Sequence, residues 1–539
     1  MATAIHIENV DNVVVVIDNV KAGETVTIHE KEDSYIARED IGQGHKMAIA
    51  PIKKGEQVIK FGIPIGPMMT DVVAGDWINE HNLLNDAQKS GQEARRRVRE
   101  GVRKIMVYPR ADGRFGIRNV VMVIPTSPDC NAVAEAISDA TGCTWMCCDR
   151  PHLENGSVSE YSRKALGYTG CNPNVHSVLV LKADGEKKTA DYVFRLIEKT
   201  KKPVYYLDVT AAGDAAIKEG TSIVKKFQEA ATSQKREPRS IDGLTITVAN
   251  SGSDWTTAIF GNPTVGKAMD LLIRDGGRVL SGALGGLLSS LEEIIAAKFA
   301  RREDALKMLD LVEQSRELVM KESGLPVEML EPSAVNKPEG ITTAPEKGYQ
   351  GIRLLGESPI QGILEYCEQP PGNGLWKTLF ENGLPPTTAS YGSLQGAHLY
   401  LHTTSAGYLY YEIPHLVGIR VTGNEDTFNE PEFKKDFNAG AAFMEGIQKT
   451  GEKLYQLILD AAEGKIETNT EKNKQKVFHM WYYVPVKPYD NDDRSKIPPF
   501  YSGLEAAESK FGKGFSGLGA NIHSKNYPEA VKKYTDLVK

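Results

Sequence analysis

Between about residue 105 and residue 275, short β-branched runs alternate with helical patterns, and this alternation constrains the fold more than any other feature. NVVMVIP leads through SPDC into AVAEAIS, SVLVLK precedes TADYVFRLIEK, PVYYLDV precedes AAIKEGTSIVKKFQEA, and LTITVANSGSD precedes PTVGKAMDLLIRDGG. Strand and helix in turn predict a mostly parallel α/β sheet. Ligands of such sheets gather outside the carboxyl ends of the strands, so polar residues there are the first candidates for a site.

The flanking regions differ. Residues 1 to about 85 read as a small β-rich module, with the β-branched runs NVVVVI and TVTIHE and glycine punctuation in GQGHKMAIAPIKKGEQVIKFGIPIG. Residues 86–104 are polar and charged with little apolar periodicity, which reads as a linker. Residues 105–330 form the first part of the large α/β domain and end in the helical stretch SLEEIIAAKFARREDALKMLDLVEQSRELVMKE. Residues 331–539 form its second part: glycine- and proline-rich, with a helix predicted over TGEKLYQLILDAAEGK and an unassigned C-terminal extension.

Composition excludes several classes. With 41% apolar and 25% charged residues and a net charge of −7, the chain has no basic surplus to neutralise a nucleic-acid backbone. No stretch approaches the roughly 20 apolar residues that span a bilayer, and MATAIHIENVDN lacks the plan of a secretory signal, so no membrane association and a cytoplasmic location are expected. Six cysteines, scattered apart from the adjacent Cys147 and Cys148, fit neither a disulfide framework nor a CxxC zinc pair. GKGFSG at 512–517 matches GxGxxG but follows no strand, and there is no P-loop, HExxH or GxSxG.

What remains is a set of polar clusters at strand ends. YPRADGRFGIRN, 108–119, carries Arg110, Asp112, Arg114, Arg118 and Asn119. Guanidinium forks bind carboxylates bidentately and an aspartate can hold them in place, so the cluster suits an anionic substrate; a salt-bridge cluster at a domain contact is the alternative. PTSPDC offers Ser127, Asp129 and Cys130 where a helix begins, either as an anion site or as a cap over a buried thiol. ANSGSDWTTAIFGNP offers Ser251, Ser253 and Asp254 in a loop that is either an anion cradle or a plain turn. His45 in GQGHK and His81 beside Glu80 and Asn82 could together hold a divalent metal, or simply be packed and solvated.

Taken together, these residues resemble the altronate and galactarate dehydratase family, in which a small SAF domain of β-clip type precedes a large, mostly parallel α/β domain. The resemblance is carried by GQGHKMAIAPIKKGEQVIKFGIPIG with AGDWINEHN, by RADGRFGIRN, by SDWTTAIFGNPTVGKAMDLLIRDGG and by GITTAPEKGYQG, with weaker echoes in GAHLYLHTT and DFNAG. It implies elimination of water from a sugar acid or small hydroxy acid to give a 2-keto acid. Release of sulfite from a sulfonate such as sulfolactate is the alternative within the class, and a non-catalytic acid-binding relative lies outside it.

The resemblance also implies roles. Arg110, Arg114 and Arg118, oriented by Asp112, would hold the substrate carboxylate and the enolate charge, with Asn119, Ser127, Cys130, Ser253, Asp254, Thr342, Thr343, Thr403 and Thr404 lining the substrate. Lys347 would act as base, and His45 and His81 as metal or acid/base groups for iron, manganese or magnesium. A homo-oligomer is expected. The family's usual cysteines are replaced in the stretch His152–Gly156, at Asp184 and at Asn250; its glutamate-bearing segment reads SGALGGLLSS and its glycine-arginine-glycine reads SAGY.

Overall fold

The run of valines near the N-terminus is continuous because both of its faces are covered. Strand β2 (Val13–Val16) is wholly buried: Val14 and Val16 point into the small module's own core with Val26, Ile28 and Met47, while Val13 and Val15 face the large domain, Val15 meeting Ile259, Phe260 and Ala442. Alternate side chains of one strand thus serve two cores. The other strands of this sheet are β1 (Ala2–Ile5), β3 (Thr25–Ile28), β4 (Ser34–Ile36), β5 (Lys46–Ala48) and β8 (Trp77–Ile78), in the order β4-β3-β1-β2-β5-β8; β6 (Gln57–Lys60) and β7 (Ile63–Pro67) form a separate hairpin. The computed structural model describes residues 2–85, 103–148, 157–183, 187–210, 213–282, 292–323, 332, 336–378, 385–405, 413–431 and 434–480. Most of the linker, GKGFSG, WYYVP, IPPFYSG, His152–Gly156, Asp184 and most of SGALGGLLSS and SAGY lie outside these residues.

The predicted alternation becomes two parallel sheets. The first contains β11 (Val120–Pro125), β12 (Thr144–Met146), β13 (Val175–Lys182) and β14 (Val204–Asp208), joined at its edge by β23 (Val477–Phe478), in the order β14-β13-β11-β12-β23. Val121, Val123, Leu179 and Leu181 pack on one face, Met122, Ile124, Val178 and Val180 on the other, which explains strands that read as unbroken apolar runs.

The second sheet has seven strands, β16 (Thr245–Ser251), β17 (Arg278–Ser281), β18 (Ile360–Leu364), β19 (Gly374–Thr378), β20 (Leu399–Thr404), β21 (Val417–Thr422) and β22 (Phe437–Asn438), in the order β18-β19-β17-β16-β20-β21-β22, every pair parallel. A division at 330 therefore falls inside one layer. The sheet break lies earlier, between β14 and β16, where β9 (Lys104–Pro109), β10 (Phe115–Gly116) and β15 (Glu237–Ser240) form a three-stranded ribbon. RADGR is the turn of its hairpin: Arg110 N–H donates to Arg114 O and Gly113 takes a positive φ of 89°.

Candidate active site

Strand order locates the crevice. From β16 the chain first builds the sheet on one side, through β17, and later on the other, through β20, so the loops leaving β16 and β20 diverge and open a gap at their carboxyl ends. Into that gap come Ser253 and Asp254 from β16 and Thr404 and Ser405 from β20, paired in register through Ser251 and Thr404. Asp254 is buried; its Oδ1 accepts from Thr256 Oγ1 (2.7 Å), Thr257 N (2.8 Å) and Thr257 Oγ1 (3.1 Å), and its Oδ2 from Asn424 Nδ2 (3.3 Å). Burial raises its pKa against the pull of those donors. Asn336 Nδ2 donates to Ser253 O (3.0 Å), bringing the 336–343 segment over the same gap.

The small module closes on that segment through its GHK. Gly44 has φ 83° and a Cβ there would run into the Trp255 ring; Gly340, φ 81°, lies so close that its own Cβ would strike the Gly44 carbonyl. Only glycine permits this approach of two backbones. Next to it, His45 accepts at Nδ1 from Trp77 Nε1 (3.2 Å) and pairs through Nε2 with Pro338 O (3.2 Å), an arrangement that fixes a neutral ring with its proton on Nε2. Burial, then the neighbouring Lys46 charge, lowers its pKa.

Lys46 is fully buried and donates to Gly340 O (3.3 Å), Thr342 Oγ1 (2.9 Å) and Glu346 Oε2 (3.1 Å). Lys60, also buried, donates to Glu346 Oε1. Glu346 opposes the desolvation of its carboxylate with these two ammoniums and falls to about 2, whereas Lys46, which shares the single carboxylate with Lys60, is brought down to about 8 by burial. Between the two clamped carbonyls of Pro338 and Gly340 stands Glu339. It is half-buried, its carboxylate has no hydrogen-bond partner among the described residues, and burial together with the Asp254 charge raises it to about 7.

Comparison with known proteins agrees with this architecture. Residues 2–86 match the altronate/galactarate dehydratase SAF domain, 107–232 the second domain of D-galactarate dehydratase/altronate hydrolase, and 241–486 the C-terminal domain of D-galactarate/altronate dehydratase. The chain belongs to the altronate and galactarate dehydratase family. It is 25% identical to altronate dehydratase of Bacillus subtilis over 88% of this chain and 97% of that one, and 25% identical to the Escherichia coli altronate dehydratase over 87% and 97%. The β subunit of (2R)-sulfolactate sulfo-lyase from Chromohalobacter salexigens is 27% identical over 68% of this chain and 95% of its own. Membership places the chain in a family of sugar-acid lyases, among carbon–oxygen lyases. No helix of the described residues is long and apolar enough to cross a membrane.

Of the residues singled out in the sequence, Ser253, Asp254, Thr342, Thr403 and Thr404 lie in or beside the crevice. Thr403 Oγ1 donates to Asn262 Oδ1 (2.6 Å), and Thr343 caps the helix Ala344–Arg353, accepting from Glu346 N (3.3 Å). In the EK pair it is Glu346, not Lys347, that meets the SAF domain; Lys347 is partly buried on the same helix.

The arginines are elsewhere. Phe115 O accepts from His398 Nε2 (2.8 Å), just before β20, so RADGRFGIRN lies at the amino edge of the sheet. The seven residues of β16, at about 3.3 Å each, separate that edge from the crevice by about 20 Å. Arg110 donates to Pro173 O (2.7 Å), Arg118 O (2.7 Å), Asn119 Oδ1 (2.8 Å) and Gln234 Oε1 (3.1 Å); Arg118 donates to Glu471 Oε1 (2.6 Å) and Ala461 O (3.1 Å); Arg114 pairs with Asp112 (2.7 Å) and reaches Cys171 O (2.9 Å). The expectation that these groups face the enolate is corrected: Arg110 and Arg118 spend their donors on joining the sheets, Arg114 is held by Asp112 and Cys171 O, and Asn119 with Asp112 belongs to the same junction. Ser127 caps a short turn by accepting from Asp129 N (3.2 Å), and burial pushes the Cys130 thiol up, so PTSPDC holds a cap and a buried thiol.

The histidine pair does not fit a metal. Both ring nitrogens of His45 are engaged within the protein, His81 is exposed, and among the described residues no group of three His, Cys, Asp or Glu side chains is placed to hold an ion. Glu339, Lys46, Lys60 and Glu346 were not anticipated. GHK at 44–46 and KPEG at 337–340 each carry a glycine at the contact, but pairing across about 300 residues leaves no local trace.

Proposed function

We propose that this chain removes water from a sugar acid or small hydroxy acid in the crevice between the SAF loop 42–46 and the carboxyl ends of β16 and β20, with Glu339 as the proton-transfer group. The observation that carries the reading is the state of Glu339: an unpaired, half-buried carboxylate near neutrality, held on both flanks by the SAF side chains His45 and Lys46. A base works best when its pKa lies near the working pH. Glu339 would take the proton α to the substrate carboxylate, the C–H electrons passing into that carboxylate as an enediolate. Those electrons then return to expel the β-hydroxyl, which leaves as water after taking up a proton, and the resulting enol ketonises to a 2-keto acid. His45 and Lys46 act as positioning residues, since they hold the carbonyls on either side of Glu339.

The likeness to the sulfolactate relative supports a second reading on the same machinery, in which sulfite departs from the β-carbon in place of hydroxide. One assay addresses both. Hexonates, hexarates and sulfolactate are offered in turn while 2-keto acid and sulfite are followed. Glu339→Gln is expected to lower kcat by at least about 100-fold, the usual scale of a general base, with an unchanged melting temperature. Product from none of these acids would end the lyase reading, and a Glu339→Gln variant within about twofold of the parent would remove Glu339 from it.

A further inference from the structure

The RADGR hairpin encloses a space that the crevice chemistry does not use. At the amino edge of β11, β13 and β14 a cavity of about 160 Å³ is bounded by Arg110, Arg114, Lys201, Lys202 and His176, with Asp112 as the one acid in its wall. We propose that this cavity binds a compact oxyanion, the carboxylate or phosphate group of a small metabolite, at a site separate from the catalytic crevice.

The argument starts from donors without acceptors. Asp112 is consumed by Arg114, which pairs with it through Nε (2.8 Å) and Nη2 (2.7 Å), leaving Nη1 with no acceptor among the described residues. Lys201 is exposed, and its ammonium has no partner among the described residues. Its backbone takes a positive φ of 59°, a costly conformation for lysine, which places it beside the cavity. His176 pairs Nδ1 with Ser177 Oγ (2.8 Å); with the Ser177 hydroxyl as donor, the neutral ring carries its one proton on Nε2, which has no partner among the described residues. Three kinds of donor therefore border one opening.

Charge points the same way. Lys202 is buried and its ammonium meets only carbonyls, those of Gly170 (2.8 Å), Asn172 (2.8 Å) and Val175 (2.9 Å). Arg110 likewise meets only neutral acceptors. Four cationic side chains thus surround the space against one carboxylate that is already paired. Burial, with Arg110 and Lys202 nearby, brings His176 down to about 4, and burial brings Lys202 down to about 7, as expected where positive charge is in surplus. An anion would relieve both. The volume equals about five waters, enough for a phosphate or a carboxylate with its neighbouring carbons.

The test is calorimetric titration of the full-length protein with inorganic phosphate and, separately, with malonate at low salt. One site per chain is expected for at least one of them, and the tighter anion identifies whether phosphate or carboxylate is the natural group. Lys201→Glu, at an exposed side chain, should weaken that binding at least tenfold with no change in melting temperature, and His176→Gln should weaken it several-fold. Neither substitution touches the crevice, and the readout is binding, so its failure is distinct from failure of the lyase reading. Two results would overturn the proposal: no saturation by either anion up to about 20 mM, or a site whose affinity is the same in the parent and in both variants.

Discussion

Glu339 is poised by two effects that can be separated. Desolvation is the larger, and the Asp254 charge adds to it. The base must be ionised to accept a proton, so kcat/KM should rise with pH up to about 7 and then level. Asp254→Asn keeps an acceptor towards Thr256 and Thr257 but removes the neighbouring charge, so the limb should move to lower pH while staying above the ordinary carboxylate range, because burial persists. A pH–rate profile of parent and variant checks this, and a limb that does not move, or moves upward, would separate Glu339 from Asp254. In the sequence Asp254 was legible, since it follows a strand in a glycine-bearing loop. Glu339 was not, because nothing in KPEG says that it will be desolvated by a domain almost 300 residues earlier.

At the scale of elements, the RADGR hairpin is a joint, and its arginines are fitted to that task. Arg110 spans the backbone before β13, the residue leading into β11 and the end of the helix Gly213–Ser233, which one ammonium could not do. Arg110→Met leaves four acceptors without their donor. At about 1–3 kcal/mol for a fully buried group, and less for these half-buried ones, urea unfolding should record a loss of about 2–4 kcal/mol, while kcat/KM per folded molecule stays within about twofold. A fall in kcat/KM at unchanged stability would return Arg110 to the active site. The strand–helix alternation was readable because period and length distinguish buried strands from amphipathic helices. The function of the arginines was not, because a guanidinium fork suits a substrate carboxylate and a row of backbone carbonyls equally well, and only the sheet edge on which it stands decides between them.

For the whole molecule, the SAF domain is the half of the site that brings Lys46, Lys60 and His45, so how firmly it is seated governs the rest. Its attachment to the body runs through the Lys46–Glu346–Lys60 triad, the pairing of Gly44 with Gly340 and Trp255, and His29 stacked on Phe443. The polar composition of residues 86–104 made two domains legible, but not that they share a buried carboxylate. A protease site engineered into residues 86–102 tests the seating directly. The nicked parent should elute as one particle and keep its activity, since the interface does not depend on chain continuity. Glu346→Gln leaves two buried ammoniums without their counter-ion, a loss of about 3–5 kcal/mol on the scale of broken buried pairs, and the nicked variant should separate into two fragments. The pH dependence follows from the depressed Glu346 pKa: the folded carboxylate holds its charge to about 2 against an ordinary value of 4.5, so the triad's contribution is complete above about 4.5 and is lost as pH falls towards 2. Acid should therefore release the fragment from the nicked parent in that window; release already at neutral pH would show that the seating needs the intact chain, and no release from nicked Glu346→Gln would mean that apolar contacts around Val13 and Val15 hold the domains and the triad does not.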